Sequence, residues 1–446
     1  MKRTVRAGAV LAATLLVLAA PVTSGAAQAR GDGAAAHFYT TKTPYTAQER
    51  PRDYQPVPRG YVAVFTENVA RHGSRAMSNS EDGDAVLAVT ERAQAEGGLT
   101  GLGAALVPQV RTLLTAGASI GYGNLSGLGA REQRETALRM ERRLPGLFAG
   151  IAQRREPIEV QTSGVARAVA SANAFTGGLA EGDPALSGLI QAPVTNKDLL
   201  YFHKQPQNAD YQAYVDSDPD LAAVLERIDD QPRTAQVARH VVSRLFEPGF
   251  VAGLSTAEQI SFARSLFELY SAAPDLRVEA PHVDLDPFLP PSDAAWLAYL
   301  DDAEEYYQSG PAFAGRTITF KLAGVLLDDL FAQVEAKANG TSGKGAVLRF
   351  THAEEIEPLA VLLGLPGSTK QSRLDQPYTY EHNPWRGETV APMGANVQWD
   401  LYAKGGTYLV RMLYNERETA FPPSCRPIAR GSYFYRLSEL ERCFNR

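Results

Sequence analysis

Two periods govern the polar and apolar positions in the first 180 residues. Tyr61 to Phe65 is an aromatic and β-branched run with strand character. Asp84 to Ala95 and Leu102 to Ala116 repeat apolar positions every three or four residues. That predicts two helices, with Pro108 a kink or break in the second. Gly117 to Gly129 is glycine-rich and reads as loop. Ala130 to about Leu144 predicts an amphipathic helix ended by Pro145-Gly146. Its arginines, Arg131, Arg134, Arg139, Arg142 and Arg143, read as a solvated face. Ile158 to Gln161 is a short strand. Thr162 or Ser163 then caps a helix to about Phe175, stopped by Gly177-Gly178.

From residue 180 to 338 the texture turns helical. The patterns are Leu221 to Leu245, broken near Pro232, then Ala257 to Ala273, Asp293 to Ser309 and Thr317 to Ala336. Few strand-like runs interrupt them, so the segment reads as a mostly helical insertion of ordinary domain size. Asn339 to Gly343 is a flexible exit. Ala346 to Phe350 is a buried strand, a helix runs from about Glu355 to Leu363, and Asn396 to Tyr402 and Thr407 to Tyr414 are strands.

Length agrees with this division, since 446 residues exceed one ordinary core. A net charge of −6 implies no general affinity for nucleic acid or an anionic membrane. Any anionic substrate must therefore meet locally concentrated positive charge. The N-terminus reads as a signal peptide over residues 1–29, with Lys2, Arg3 and Arg6, an apolar Ala9 to Ala20 and Ala27-Gln28-Ala29 as cleavage site. The plainer alternative is an uncleaved anchor. Export implies a secreted protein with no membrane segment after cleavage. It also implies an oxidising compartment, where Cys425 and Cys443 can form a disulfide contributing roughly 3 kcal/mol. Two unpaired buried thiols are the alternative. No histidine lies near them in sequence, which makes them a poor metal site.

Three places share one design, in which a strand ends, a polar cluster follows and a helix begins. They are Arg71-His72-Gly73-Ser74-Arg75, Ser163 to Arg167, and His352-Ala353-Glu354. In a parallel α/β sheet such strand ends converge on one edge. Together they supply cationic donors for phosphoryl oxygens, a histidine nucleophile and a carboxyl to protonate a leaving alkoxide. Each has a plainer reading: a surface turn at Arg71-His72-Gly73, a surface helix residue at Arg167, a satisfied core histidine at His352, a helix-start carboxylate at Glu354. The remaining histidines form no spaced ligand set, so no metal or other cofactor is expected.

These segments resemble the histidine acid phosphatases, the larger branch of the histidine phosphatase superfamily. Arg71-His72-Gly73-Ser74-Arg75 is similar to the family's Arg-His-Gly-x-Arg signature, and Ser163 to Ala172 resembles its second phosphate-binding segment. His352-Ala353-Glu354 resembles the His-Ala-Glu of the multiple inositol polyphosphate phosphatases, where many relatives carry His-Asp. Pro358-Leu359, Leu363-Gly364-Leu365, Gly129 to Phe148, Tyr306 to Gly310 and Val410 to Glu416 extend the likeness. The resemblance implies His72 as nucleophile, Arg71, Arg75, Arg167 and His352 as phosphate ligands, and Glu354 as proton donor. It implies a metal-independent phosphatase of inositol polyphosphates such as phytate. A broad acid phosphatase and a non-catalytic polyanion binder are the alternatives. The implied fold is a three-layer α/β core, residues 37–179 and 339–446, with a mixed, mainly parallel sheet. The helical insertion 180–338 would line the cleft. A monomer acting on a small polyphosphate is expected. Ala76-Met77 stands where relatives often have Arg-x-Pro, and the insertion lacks the cysteines of animal members. Lys197, His203 and Lys204 lie early in the insertion, as contacts for distal phosphates or as a solvated patch.

Overall fold

A single mixed sheet sets the three polar clusters side by side. The computed structural model describes residues 37–446, and the expected signal peptide lies outside the described residues. The strands are β1 (Val62–Arg71), β2 (Ile158–Thr162), β3 (Val194–Thr195), β4 (Ala346–Thr351), β5 (Asn396–Lys404), β6 (Thr407–Tyr414), β7 (Arg417–Thr419) and β8 (Phe434–Arg436). Their order is β3-β2-β4-β1-β5-β6-β7, with β8 also paired to β6. The pairs β3–β2, β2–β4 and β4–β1 are parallel, and those from β1 through β5 to β7 and β8 are antiparallel. Thus β1, β2, β3, β4 and β6 run one way and β5, β7 and β8 the other. This is the mixed, mainly parallel sheet the sequence predicts.

Side chains alternate across a strand, so successive residues should enter different cores. On β4, Val347 joins one apolar cluster and Leu348 the other; on β1, Val69 and Ala70 divide likewise. Both faces are therefore covered, which is why β4 is buried at every position and reads as a continuous apolar run. The helices Gly127–Arg143 and Ala166–Gly182 pack against each other, and their Met140 and Phe175 share a cluster with Leu348. The other cluster runs into the helices Thr256–Ala272, Pro291–Gln308 and Gly324–Ala338. Residues 196–345 contain no strand. No helix among the described residues is long and apolar enough to cross a membrane.

Four expectations need correction. The segment 117–129 is not all loop: one helix runs on to Ile120 and the next begins at Gly127, capped by the Ser126 hydroxyl. Gly177-Gly178 does not stop its helix, which continues to Gly182. A Cβ on Gly178 would lie 2.6 Å from the Arg134 carbonyl, so the glycine permits close helix packing. Thr162 and Ser163 do not cap that helix either. Their hydroxyls accept from Gly164 and Val165 N–H and close the turn before it. Finally, the arginines of Gly127–Arg143 are not one solvated face. The Arg143 side chain is buried against Asp400 at 2.8 Å, and Arg139 pairs with the buried Glu416 at 2.7 Å. At the tail, Cys425 and Cys443 form a disulfide with Cα atoms 5.2 Å apart.

Candidate active site

β4 lies between β2 and β1, and all three run parallel. The register pairs Arg71 with Thr351 and Thr162 with Phe350, so the three strand ends fall level. The loops after them emerge on one edge.

The loop after β1 is fixed by backbone contacts. His72 N–H donates to Thr351 O at 2.9 Å, and Gly73 N–H donates to Ser171 Oγ at 3.1 Å. The buried Glu132 accepts from Ser74 N–H and Ser74 Oγ–H at 2.7 and 2.8 Å. Gly73 is required by close approach rather than by its φ angle. A Cβ there would stand 2.5 Å from Gly129 O, and one on Gly129 would stand 2.1 Å from Ser74 O.

His72 is 2% exposed. Its Nδ1 lies 2.9 Å from Gly73 O, and a carbonyl can only accept, so the proton sits on Nδ1. Nε2 keeps its lone pair. Burial, together with the field of Arg71, His352, Arg167 and Arg75, holds the imidazole well below its ordinary pKa. The ring is biased toward its neutral form, which is able to attack an electrophile. The His352 ring meets it edge-on, centroids 5.4 Å apart. His352 Nε2 is 2.9 Å from Ser163 Oγ. Burial and the nearby arginines push its pKa down to about 3, against the opposing pull of Glu354.

Three arginines and the uncharged His352 are left ready for a ligand. The Nε atoms of Arg71, Arg75 and Arg167, and His352 Nδ1, are buried with no hydrogen-bond partner. Buried donors are rarely left so. Arg71 Nη1 is anchored on the carbonyls of Thr41 and Ala391, which fixes its guanidinium. Glu354 stands at the start of the helix Ala353–Leu362 with its side chain 40% exposed. Burial raises a carboxyl's pKa, but His203, His352 and Arg71 bring this one down to about 2. An in-line nucleophile, several anion donors and a carboxyl are the groups a phosphoryl transfer requires.

A family model described as histidine phosphatase superfamily (branch 2) matches residues 65–415. The chain belongs to that family. Among solved structures it is similar to the Bifidobacterium longum multiple inositol polyphosphate phosphatase, at 32% identity over 92% of this chain and 97% of that one. The TM-score is 0.85 for the complex with inositol hexasulfate and 0.86 for the complex with phosphate. The phytase from D. castellii shares the fold at 17% identity, with a TM-score of 0.62 over 91% of this chain and 84% of that one. No curated protein sequence matches.

Within this histidine phosphatase, Arg71, His72, Arg75, Arg167, His352 and Glu354 come together, as their mutual electrostatic contacts record. Lys197 and Lys204 stand exposed to solvent. His203, between them in sequence, turns inward and meets Glu355, not a position open to distal phosphates. Sequence reasoning missed Ser163 as the partner of His352, Glu132 as the anchor of the loop, and the His203–Glu355 pair. Only the Glu354-Glu355 doublet after a strand-end histidine hinted at the last. Among the described residues no cluster of three or more His, Cys, Asp or Glu side chains is placed to hold a metal ion.

Proposed function

We propose that the protein is an exported, metal-independent phosphomonoesterase of inositol polyphosphates, phytate foremost. One observation carries the reading: a neutral His72 with a free Nε2 lone pair, beside buried arginine Nε donors that have no partner. Similarity to a multiple inositol polyphosphate phosphatase that was crystallised with inositol hexasulfate supports the substrate class.

In this reading Arg71, Arg75, Arg167 and His352 grip the phosphoryl oxygens. His72 Nε2 attacks phosphorus, and the ester electron pair leaves on the alcohol oxygen, which takes a proton from Glu354. A phosphohistidine results. Glu354 then deprotonates water, whose oxygen attacks phosphorus and frees His72. The mature chain works as a monomer without a cofactor.

Protein beginning at Arg30 is expected to release inorganic phosphate from phytate in EDTA, and His72→Ala to abolish the release. Turnover surviving in the alanine variant would sink the mechanism. A higher kcat/KM on sugar phosphates than on phytate would overturn the substrate class and leave the mechanism standing.

A further inference from the structure

Glu354 is asked to give a proton, yet its surroundings hold it ionised. His203 is placed to hold a proton close by. His203 Nδ1 lies 2.5 Å from Glu355 Oε1, and Nε2 lies 3.9 Å from Glu354 Oε1. Both ring nitrogens face carboxylates, and only the imidazolium offers a donor to each. The His203 side chain is 4% exposed and that of Glu355 is 0% exposed. Glu355 is fixed in turn, because its Oε2 accepts from Thr351 Oγ at 2.9 Å. The Tyr201 ring lies edge-on to His203 at 4.7 Å and tilted against His352 at 5.2 Å, joining the pair to the phosphate cluster.

We infer that His203, clamped by Glu355, is a positioning residue that stores the proton Glu354 delivers to the leaving alcohol. The inference rests on the phosphatase reading above. As the P–O bond breaks and its electron pair collects on the alcohol oxygen, the Nε2 proton moves to Glu354 and the carboxyl protonates that oxygen. His203 is left neutral and Glu354 ionised. In the second half, water gives a proton to Glu354, which returns it to His203 Nε2. The water oxygen bonds phosphorus, and the P–N electron pair returns to His72. The 3.9 Å gap closes by rotation of the half-exposed Glu354 side chain. Catalytic contacts are often long before substrate binds.

The groups facing His203 are Glu354 and Glu355 from the helix Ala353–Leu362, Lys204 from its own segment, and His352 beyond Tyr201. Burial opposes the charge, but the Glu355 hydrogen bond and the two carboxylates raise the imidazole above its ordinary pKa. Burial raises the Glu355 carboxyl too, against the hydrogen bonds from His203 and Thr351, so the pair holds its proton across the short Nδ1–Oε1 contact. The alkaline limb of kcat should therefore follow an imidazolium rather than a carboxyl.

Glu355→Gln isolates the charge. The amide oxygen still accepts from Nδ1–H and the amide NH2 donates to Thr351 Oγ, whose own hydrogen then turns to Leu200 O, 2.7 Å away. On glycerol 2-phosphate the alkaline limb is expected to move down by about one pH unit or more. On 4-nitrophenyl phosphate, whose leaving group needs little protonation, kcat in the same pH range should hold. The double variant His203→Gln/Glu355→Gln, which puts an amide pair in place of the ion pair, should lose the upper limb altogether on the alkyl ester. It also decides the matter if the single variant does not fold. An unmoved limb in these variants, or equal losses on both esters, overturns the inference. A wild-type enzyme inert on both esters and on phytate overturns the phosphatase reading and this inference with it.

Discussion

Glu354 is decided mostly by residues far from it in sequence, His203 and Arg71, beside its near neighbour His352. On a bare helix start it would be an ordinary carboxylate favoured by the dipole. Here the field of His203, His352 and Arg71 keeps it ionised until substrate brings negative charge into the cluster. Glu354→Gln is expected to lower kcat on an alkyl phosphate by about 10²- to 10⁴-fold, and on an aryl phosphate much less. Steady-state rates on the two esters check this, and equal losses would argue against proton donation. The six cluster residues were legible because strand, polar loop and helix follow one another locally in the chain. His203 and Glu355 were not, since a lone histidine 152 residues from its carboxylate leaves no spacing to read. The contact of Gly73 with Gly129 was not legible either, because the two glycines lie far apart in the chain.

The helix Gly127–Arg143 shows the same division between what is local and what is not. Its span followed from periodicity to within a few residues. Its arginine face did not, because the acids that bury Arg139 and Arg143 lie on the far C-terminal part of the chain. Asp400 on β5 is fully buried and is held between Arg143 at 2.8 Å and Arg411 at 3.0 Å. Removing one arginine leaves a buried charge short of a partner. Arg143→Met is expected to cost roughly 3 kcal/mol, read as a lower urea midpoint with an unchanged slope. A loss below about 0.5 kcal/mol, typical of exposed pairs, would mean the face is solvated after all. Gly178 within the run-on helix has a similar cause, since the partner helix sits where its side chain would go.

Across the molecule, buried acids set how stability follows pH. Burial pushes Asp275, Asp302 and Glu305 up to about 8. Their folded pKa values exceed the unfolded ones. Stability from these groups is therefore complete below about pH 4 and is lost as pH rises toward 8. Asp400 runs the other way. Burial opposes its charge, but Arg143 and Arg411 lower its pKa, so its contribution is lost only as pH falls below the ordinary carboxyl range. The melting temperature is expected to be highest near about pH 5 and to fall by about pH 8. A melt at pH 8 equal to or above that at pH 5 would contradict this. The sheet order carries a consequence for biosynthesis. β1 has two neighbours, β4 and β5, and both are made after residue 345. While the ribosome works through the helical segment, β1 waits as an apolar strand with both edges open, the kind of surface that invites wrong pairing. His72 and His352 cannot meet until residue 352 has emerged. A product truncated before that point would hold no partial site, only an exposed template for aggregation.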